Sequence, residues 1–245
     1  MANTAVMISV VIPTLDAEPH LGRTLAALVP AAVDGLVREV IIADGGSRDG
    51  TLRIADLAGA EVVASPPGRG RQLMAGAERT RFPWLLFLHA DTVLDPGWPE
   101  EARDFIARAE AGRMAPSAAV FRFVLDDVGF APRIIEKGVA LRTRLLGLTY
   151  GDQGLLISRP LYDAVGGFAE LPLMEDVDLV RRLGRSRITV LRSRATTSAE
   201  RYQAEGYARR ALRNLGCLAL YFLCVPPERI AERYAGPAGA GRIAP

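Results

Sequence analysis

The stretch EVIIADGGSRDGT, residues 39–51, predicts the fold of this chain. The β-branched run 39–43 indicates a strand that stops at Asp44, and the glycine turn that follows leads into a helix over residues 51–57. Asp49 stands where an N-terminal helix cap is expected, because Asp-Gly-Thr is a common start of a helix. Strand, turn and helix in this order form the repeating unit of α/β proteins.

The same alternation continues on both sides of this unit. Further strands are predicted over residues 8–12, 61–64 and 84–88, and helices over residues 21–33 and 72–79. These strands are continuous apolar runs, which is typical of parallel strands that are covered on both faces. We therefore predict an α/β fold with a mostly parallel, Rossmann-like sheet and helices on both faces.

The pattern changes after residue 110. Two more strands are expected over residues 118–124 and 155–158, and helices are expected over residues 132–146, 160–165, 175–183 and 204–225. We divide the chain into a domain over residues 1–203, with halves at 1–110 and 111–203, and a C-terminal helix and tail over residues 204–245.

Composition narrows the class of protein. The chain has 245 residues and a formal net charge of +2, too little for charge alone to indicate a nucleic-acid partner. Two cysteines, Cys217 and Cys224, make no disulfide framework and no metal-ligand spacing. No basic segment precedes the apolar residues 6–12, and the longest apolar run, 215–225, falls short of the ~20 residues that span a bilayer. These features indicate a cytoplasmic protein.

Polar residues follow three of the predicted strands. Ligands of open α/β sheets bind outside the carboxyl ends of the strands. The residues found there are Pro13, Thr14 and Asp16 after the first strand, Asp44 after the second, and His89 and Asp91 after the fourth. We expect them to form one site, with the acids Asp44 and Asp91 near a third acid, Asp176.

Five motifs occur in an order that resembles the family 2 glycosyltransferases. They are VVIPTLD at 10–16, DGGSRDGT at 44–51, LHAD at 88–91, GGF at 166–168 and ED at 175–176. Within that family the chain is similar to a bacterial subgroup found beside radical-SAM and selenoprotein-related genes. The residues that carry this second resemblance are GRGRQ at 68–72, FLHADT at 87–92, YGDQ at 150–153 and PLMED at 172–176.

The resemblance implies the GT-A fold, in which a nucleotide-sugar-binding half, here residues 1–110, merges with an acceptor half, here residues 111–203. It implies inverting transfer of a sugar from a UDP- or GDP-type donor to the hydroxyl of an unidentified acceptor. It also implies a divalent cation, Mg²⁺ or Mn²⁺, on the departing diphosphate.

The resemblance also implies roles for the donor-side residues. Asp44 would accept the imide N–H of a uracil-like ring, with Pro13, Thr14 and Asp16 lining the same pocket. This chain departs from the family at two positions in this region, because the usual asparagine is Asp16 and the usual second acid is Gly45. Both departures change the charge near the nucleotide.

The diphosphate side is expected around Asp91. The resemblance makes Asp91 the last carboxylate of an Asp-x-Asp motif, which binds the cation. The first acid of the motif is replaced by His89, which is either a second metal ligand or a buried structural histidine. Arg71 is expected to reach the donor nucleotide or its diphosphate.

The acceptor side centres on Asp176. The resemblance makes this carboxylate the general base that takes the proton of the acceptor hydroxyl as that oxygen attacks the anomeric carbon. Glu175 would position the acceptor or the backbone. Asp152 and Gln153 would bind sugar or acceptor hydroxyls, and the alternative for them is a plain turn.

Several alternatives remain open at this level. The C-terminal helix either packs on the domain or makes peripheral contact with the inner face of the cell membrane through its arginines. His89 and Gly45 in place of acids are compatible with a catalytically silent nucleotide-sugar-binding protein. A nucleotidyltransferase is disfavoured, because that chemistry usually needs a lysine in a glycine-rich loop, and residues 13–22 contain no lysine.

Overall fold

The computed structural model describes residues 6–235, and the strands in this range form one eight-stranded sheet. The strands are β1 (Ile8–Thr14), β2 (Val37–Asp44), β3 (Glu61–Ala64), β4 (Trp84–Phe87), β5 (Thr92–Leu94), β6 (Ala118–Asp126), β7 (Leu155–Ser158) and β8 (Ile188–Ser198). Their order across the sheet is β3-β2-β1-β4-β7-β6-β8-β5. The strands β3, β2, β1 and β4 are parallel, β7 is antiparallel to β4 and β6, β6 and β8 are parallel, and β5 is antiparallel to β8.

Helices cover both faces of this sheet. They are α1 (Glu18–Ala26), α2 (Val29–Val33), α3 (Thr51–Leu57), α4 (Arg69–Arg79), α5 (Trp98–Glu110), α6 (Phe130–Leu146), α7 (Arg159–Ala164), α8 (Glu175–Leu183), α9 (Glu200–Glu205), α10 (Tyr207–Phe222) and α11 (Pro227–Ala235). Short 3₁₀ turns occur at Gly151–Gln153 and Arg185–Arg187. The predicted fold class is confirmed, and the four adjacent parallel strands β3, β2, β1 and β4 all come from the first half of the chain.

Alternate residues of the central strands point into two separate cores. Val10 of β1 packs on one face with Leu21 of α1 and Phe105 of α5. Val11 packs on the other face with Leu73 of α4 and Leu179 of α8. This two-sided burial is the physical reason why the central strands are continuous apolar runs.

β1 runs through Pro13 instead of stopping before it. In a parallel strand the N–H and C=O of one residue point to the same side, and the carbonyl of Val11 accepts a hydrogen bond from Leu88 on the β4 side. The nitrogen of Pro13 points to that side too, but β4 pairs with β1 only up to Val11. Proline therefore sits where no ladder hydrogen bond is lost.

The C-terminal part differs most from the prediction. The expected helix 204–225 is broken at Gly206, whose positive φ of 85° separates α9 from α10, and α11 follows. Cys217 and Leu218 of α10 are buried against Met174 and Val177 of α8. One face of α10 thus packs on the domain. Within residues 6–235, no helix combines the length and the apolar character that a membrane crossing requires.

Candidate active site

The acidic residues of the acceptor side meet those that follow β4. β7 is antiparallel to β4, with Leu155 opposite Phe87, so the segment before β7 lies beside the segment after β4. Asp152 belongs to that first segment, and the backbone N–H of Gly151 donates to Asp176 Oδ2 at 2.7 Å. The start of α8 is therefore tied to the turn before β7, and both adjoin the end of β4.

Gly151 is required by the contact of this turn with His89. A Cβ atom at residue 151 would lie 2.4 Å from His89 Nε2, closer than carbon and nitrogen atoms approach. Nε2 is buried and has no hydrogen-bond partner among the described residues. Burial, together with the charges of Arg69 and Arg201, holds the pKa of His89 well below its usual value. His89 is thus a neutral imidazole packed against the turn.

Two carboxyl groups at the site have pKa values above those of surface acids. Glu175 is only 1% exposed. Burial and the charge of Asp176 raise its pKa to about 7, although Arg69 opposes this shift. Burial also raises the pKa of Asp152 to about 7, Arg142 opposes it, and Asp176 and Asp91 add to it. The site therefore retains protons near neutral pH.

Arg69 is the cation that faces this cluster. Its Nε lies 3.6 Å from Glu175 Oε1. Burial alone would lower the pKa of the Arg69 guanidinium, but Glu175, Asp176 and Asp91 contribute to raising it. Arg69 was not among the predicted site residues, although it stands in the same GRGRQ motif as Arg71 and is the first residue of α4.

Arg71 lies elsewhere. Its Nε donates to Glu170, and both side chains are about half exposed. The expected contact of Arg71 with the donor is not supported by this position. Residues 69 and 71 project to different sides of α4, and only residue 69 faces the acids.

Asp44 is held by its own loop. Its Oδ2 accepts hydrogen bonds from the backbone N–H groups of Gly46 and Ser47, and its Oδ1 accepts from the hydroxyl groups of Thr14 and Ser47. Burial favours the protonated acid, but these hydrogen bonds outweigh it and hold the pKa of Asp44 below its usual value. Asp44 is an anion whose four acceptor positions are filled, so a nucleobase has to displace one donor.

The neighbours of Asp44 complete this edge of the sheet. Pro13 lies in β1, and Asp16 is exposed with a positive φ and accepts from the N–H of Arg48 at 2.9 Å. Gly45, which stands in place of the family's second acid, leaves little room for a side chain. A Cβ at Gly45 would lie 3.1 Å from the Nε2 atom of Gln72, which donates to the carbonyl of Thr14 at 2.6 Å.

Gln153 does not face the site, which corrects its assignment to the acceptor. Its Nε2 donates to the carbonyl of Phe121 at 3.2 Å, and its Oε1 accepts from the hydroxyl of Thr143 at 3.1 Å. The buried amide is thus satisfied by the core, where it fixes the turn that carries Asp152.

The two residues of the predicted metal pair line different cavities. His89 lines a largely apolar cavity together with Asp176 and Glu175, whereas Asp91 lines a polar cleft with His20 and Asp126. Residues 6–235 contain no group of three or more His, Cys, Asp or Glu side chains placed to hold a metal ion. The role of His89 as a metal ligand therefore stays a prediction, beside the alternative of a buried structural histidine.

Asp91 alone fits a cation site. The one hydrogen bond to its carboxylate within the described chain is a long contact of 3.5 Å from the hydroxyl of Thr92. Magnesium needs only one or two protein carboxylates when phosphate oxygens and water complete its shell. Asp91 lies in the segment after β4, and Asp44 ends β2, with β1 between these two strands.

The chain is similar in sequence to a known family and to several named proteins. The family described as "Glycosyl transferase family 2" matches residues 9–146. A glucosyl-3-phosphoglycerate synthase of Mycolicibacterium paratuberculosis is 37% identical over 95 residues, which cover 35% of this chain and 29% of that protein. A PGL/p-HBAD biosynthesis glycosyltransferase of Mycobacterium bovis is 33% identical over 186 residues, which cover 62% of this chain and 64% of that protein. The matches thus span less than two thirds of these relatives.

Solved structures extend the similarity to most of the chain. Glucosyl-3-phosphoglycerate synthase of Mycobacterium tuberculosis, in complex with Mn²⁺, UDP and glucosyl-3-phosphoglycerate, superposes with a TM-score of 0.56 at 21% identity, over 87% of this chain and 80% of that one. Residues 1–349 of TarS from S. aureus superpose with a TM-score of 0.57 at 16% identity, over 94% of this chain and 70% of that one. The fold is therefore the GT-A fold.

Proposed function

Because this chain belongs to glycosyl transferase family 2, we propose that it transfers a sugar from a nucleotide-diphosphate sugar to an acceptor hydroxyl with inversion. One observation carries the proposal: Asp176 is the second residue of α8, is held by Gly151, and lies in a cluster with Glu175, Asp152 and Arg69. Transfer needs a base beside a buried, charged site, and this cluster supplies one.

Asp176 is the proposed general base. The N–H of Gly151 fixes its Oδ2, and its Oδ1 is 2.7 Å from the N–H of Val177, so the carboxylate has a defined orientation at the helix start. The acceptor oxygen would attack the anomeric carbon from the face opposite the leaving diphosphate while its proton passes to Asp176. Attack from that face inverts the anomeric configuration.

The donor is proposed to lie along the edge of the sheet from Asp44 to Asp91. Pro13, Thr14 and Asp16 border the nucleoside end, and Arg69 brings positive charge to the diphosphate end. Asp91 would hold Mg²⁺ or Mn²⁺, which neutralises charge on the departing diphosphate when it is bound. The solved relative that contains UDP and Mn²⁺ supports a UDP-type donor, and a GDP-type donor is the alternative.

The acceptor is proposed to bind on the side of Asp152 and Glu175. We assign donor binding to residues 1–110, acceptor binding to residues 111–203 and an accessory role to residues 204–245. The motifs at 68–72 and 150–153 support membership of the radical-SAM and selenoprotein-associated subgroup. We also propose a cytoplasmic location, with peripheral contact of α10 at the inner face of the cell membrane.

A catalytically silent nucleotide-sugar-binding protein is the second candidate, favoured by His89 and Gly45 in place of acids. Asp176→Asn separates the two functions, because the amide keeps the shape of the side chain but accepts no proton. Hydrolysis of UDP-glucose with Mn²⁺ should fall by about 10²- to 10⁴-fold, while UDP binding measured by calorimetry stays within about threefold.

Asp178→Asn is the matched control, since Asp178 lies in the same helical turn but pairs with Arg182 at 2.6 Å. Its effect on turnover should be small. If both variants hydrolyse the donor as fast as the unmodified protein does, Asp176 is not the base. If the unmodified protein binds UDP but turns over none of a panel of nucleotide sugars, the binding protein is the better description.

A further inference from the structure

The outward face of α6 is apolar. Ile134, Leu141 and Leu145 are separated by seven and four residues, so they form one stripe along the helix. Leu141 is 57% exposed and Leu145 is 52% exposed. The buried residues Val139 and Thr143 lie on the opposite side of the helix. α6 therefore has an apolar face toward solvent in addition to its buried face.

α10 repeats this arrangement. Its exposed side is a stripe at spacings of four and three residues, made of Ala208, Leu212, Leu215, Ala219 and Phe222. Leu212 is 69% exposed and Leu215 is 56% exposed. Cys217 and Leu218 are on the buried side. The two helices contact each other, so both stripes belong to the same region of the molecule.

Positive charge accompanies these stripes. α6 carries four basic residues and one acid, and α10 carries three basic residues and no acid, although the whole chain has a net charge of only +2. Most of these cations are engaged within the fold. Lys137, Arg144 and Arg209 are exposed and form no ion pair within residues 6–235.

We propose that the outer faces of α6 and α10 together form a surface that docks on a bilayer containing anionic lipids. Leucine stripes bordered by lysine and arginine are the features by which an amphipathic helix lies in a membrane interface. Each unpaired cation gains further attraction from a negatively charged leaflet. Because this surface is positively charged, a second copy of it would be repelled, whereas an anionic headgroup layer would be attracted.

The inner faces of the same helices hold the acidic site. Thr143 of α6 donates to Gln153 in the turn that carries Asp152, and Cys217 of α10 packs with Val177 of α8, the residue after Asp176. An α-helix with its side chains is about 10–12 Å wide. A docked molecule would hold Asp176 about one helix diameter from the headgroups. On the proposed transferase function, this geometry favours an acceptor whose hydroxyl is presented at the bilayer surface.

Vesicle flotation of the full chain tests the surface. We expect the chain to float with vesicles of phosphatidylglycerol and phosphatidylcholine, and much less with phosphatidylcholine alone. A variant that combines four substitutions should bind the anionic vesicles with an affinity lower by about tenfold or by a larger factor. The substitutions are Leu141→Gln, Leu145→Gln, Leu212→Gln and Leu215→Gln. Val33→Gln with Leu57→Gln removes two exposed apolar side chains from α2 and α3, and this control should float as before.

A charge variant distinguishes headgroup attraction from apolar contact alone. Lys137→Gln, Arg144→Gln and Arg209→Gln together should weaken binding to the anionic vesicles and reduce its dependence on salt. The surface is not a membrane site if the unmodified chain fails to float, or if the four-leucine variant floats equally well. A dimer in light scattering that the leucine changes dissociate, without flotation, would assign the face to a second copy instead.

Binding of UDP in the absence of vesicles keeps this test separate from the proposed function. The four-leucine variant should bind UDP like the unmodified chain, because its substitutions lie on the outer helix faces. If the chain floats with vesicles but transfers no sugar, the docking surface is supported and the transferase function is contradicted. If the chain transfers sugar but does not float, the transferase function is supported and the docking surface is contradicted.

Discussion

At the scale of single residues, the two arginines of the GRGRQ motif show that identical side chains on one helix can have different surroundings. Arg69 and Arg71 are two residues apart at the start of α4. Residues at this spacing do not share a helix face. Arg69 faces the buried Glu175, whereas Arg71 pairs with the exposed Glu170. Only Arg69 is placed to attract an anionic donor into the acidic site.

We expect Arg69→Gln to weaken UDP binding by about tenfold to hundredfold, because it removes the positive charge that faces the acids and leaves them to repel the diphosphate. Arg71→Gln should change UDP binding by less than about threefold. Calorimetric titration with UDP measures both variants. Equal losses in the two variants would place Arg71 at the site instead.

The positions of several residues were predictable because they stand at or after the ends of strands. Asp44 and Asp91 stand at or after the ends of apolar strands. The carboxyl ends of parallel strands lie at the same edge of an α/β sheet for any conformation of the loops. His89 and Gln153 were not predictable in the same way. Both side chains turn toward contacts made by distant segments, the Gly151 turn for His89 and the Phe121 carbonyl for Gln153.

At the scale of elements, the start of α4 lies against the segment that leads into α8. A Cβ atom on Gly70 would lie 2.4 Å from the carbonyl oxygen of Ala169 and 2.8 Å from that of Leu171. These are backbone atoms, which cannot rotate away as the end of a flexible side chain does. The glycine therefore sets the distance between the helix that carries Arg69 and the helix that carries Asp176.

We expect Gly70→Ala to lower the free energy of unfolding by about 1–3 kcal/mol, because the methyl group forces the two segments apart. Donor hydrolysis should fall as well, since Arg69 moves away from Asp176. The matched control is Gly22→Ala in α1, where a Cβ has nothing within 4 Å and the helix should gain up to about 1 kcal/mol. Urea unfolding measures both, and similar stability in the two variants would contradict the packing argument.

Four of the helices and strands were predictable to the residue. The bounds of α3, β3, β7 and α8 agree with the sequence. β5 has only three residues, and β8 mixes apolar, charged and hydroxyl side chains without regular alternation, so their local patterns are weak. Their pairing arises from the tertiary fold, since Val93 lies opposite Thr196 more than a hundred positions away.

At the scale of the whole molecule, the buried acids connect protonation to stability. The folded-state pKa of Glu175 is about 7, above its usual value of 4.5, and the pKa of Asp152 is also raised to about 7. Between the two pKa values of such an acid, the folded chain binds more protons than the unfolded chain does. The free energy of unfolding therefore falls as pH rises through this window.

We expect the stability of the unmodified chain to fall from about pH 5 to about pH 8, and this fall to be smaller in Glu175→Gln. Adding Asp152→Asn should reduce it again. Glu232→Gln, at an exposed position on α11, should keep the slope of the unmodified chain. Urea unfolding at several pH values measures the slopes. A slope that is the same in all variants would mean that these carboxyl groups ionise as they do in the unfolded chain.

Because the sheet is continuous, residues 1–110 and residues 111–203 share strand pairings. β7, from residues 111–203, hydrogen-bonds directly to β4, and β5, from residues 1–110, forms the far edge beside β8. A chimera that exchanged residues 111–203 between relatives would give two native strands foreign neighbours at once. New acceptor preferences are therefore expected to arise by replacements within the turn and helix ends that surround Asp176, and not by modular recombination.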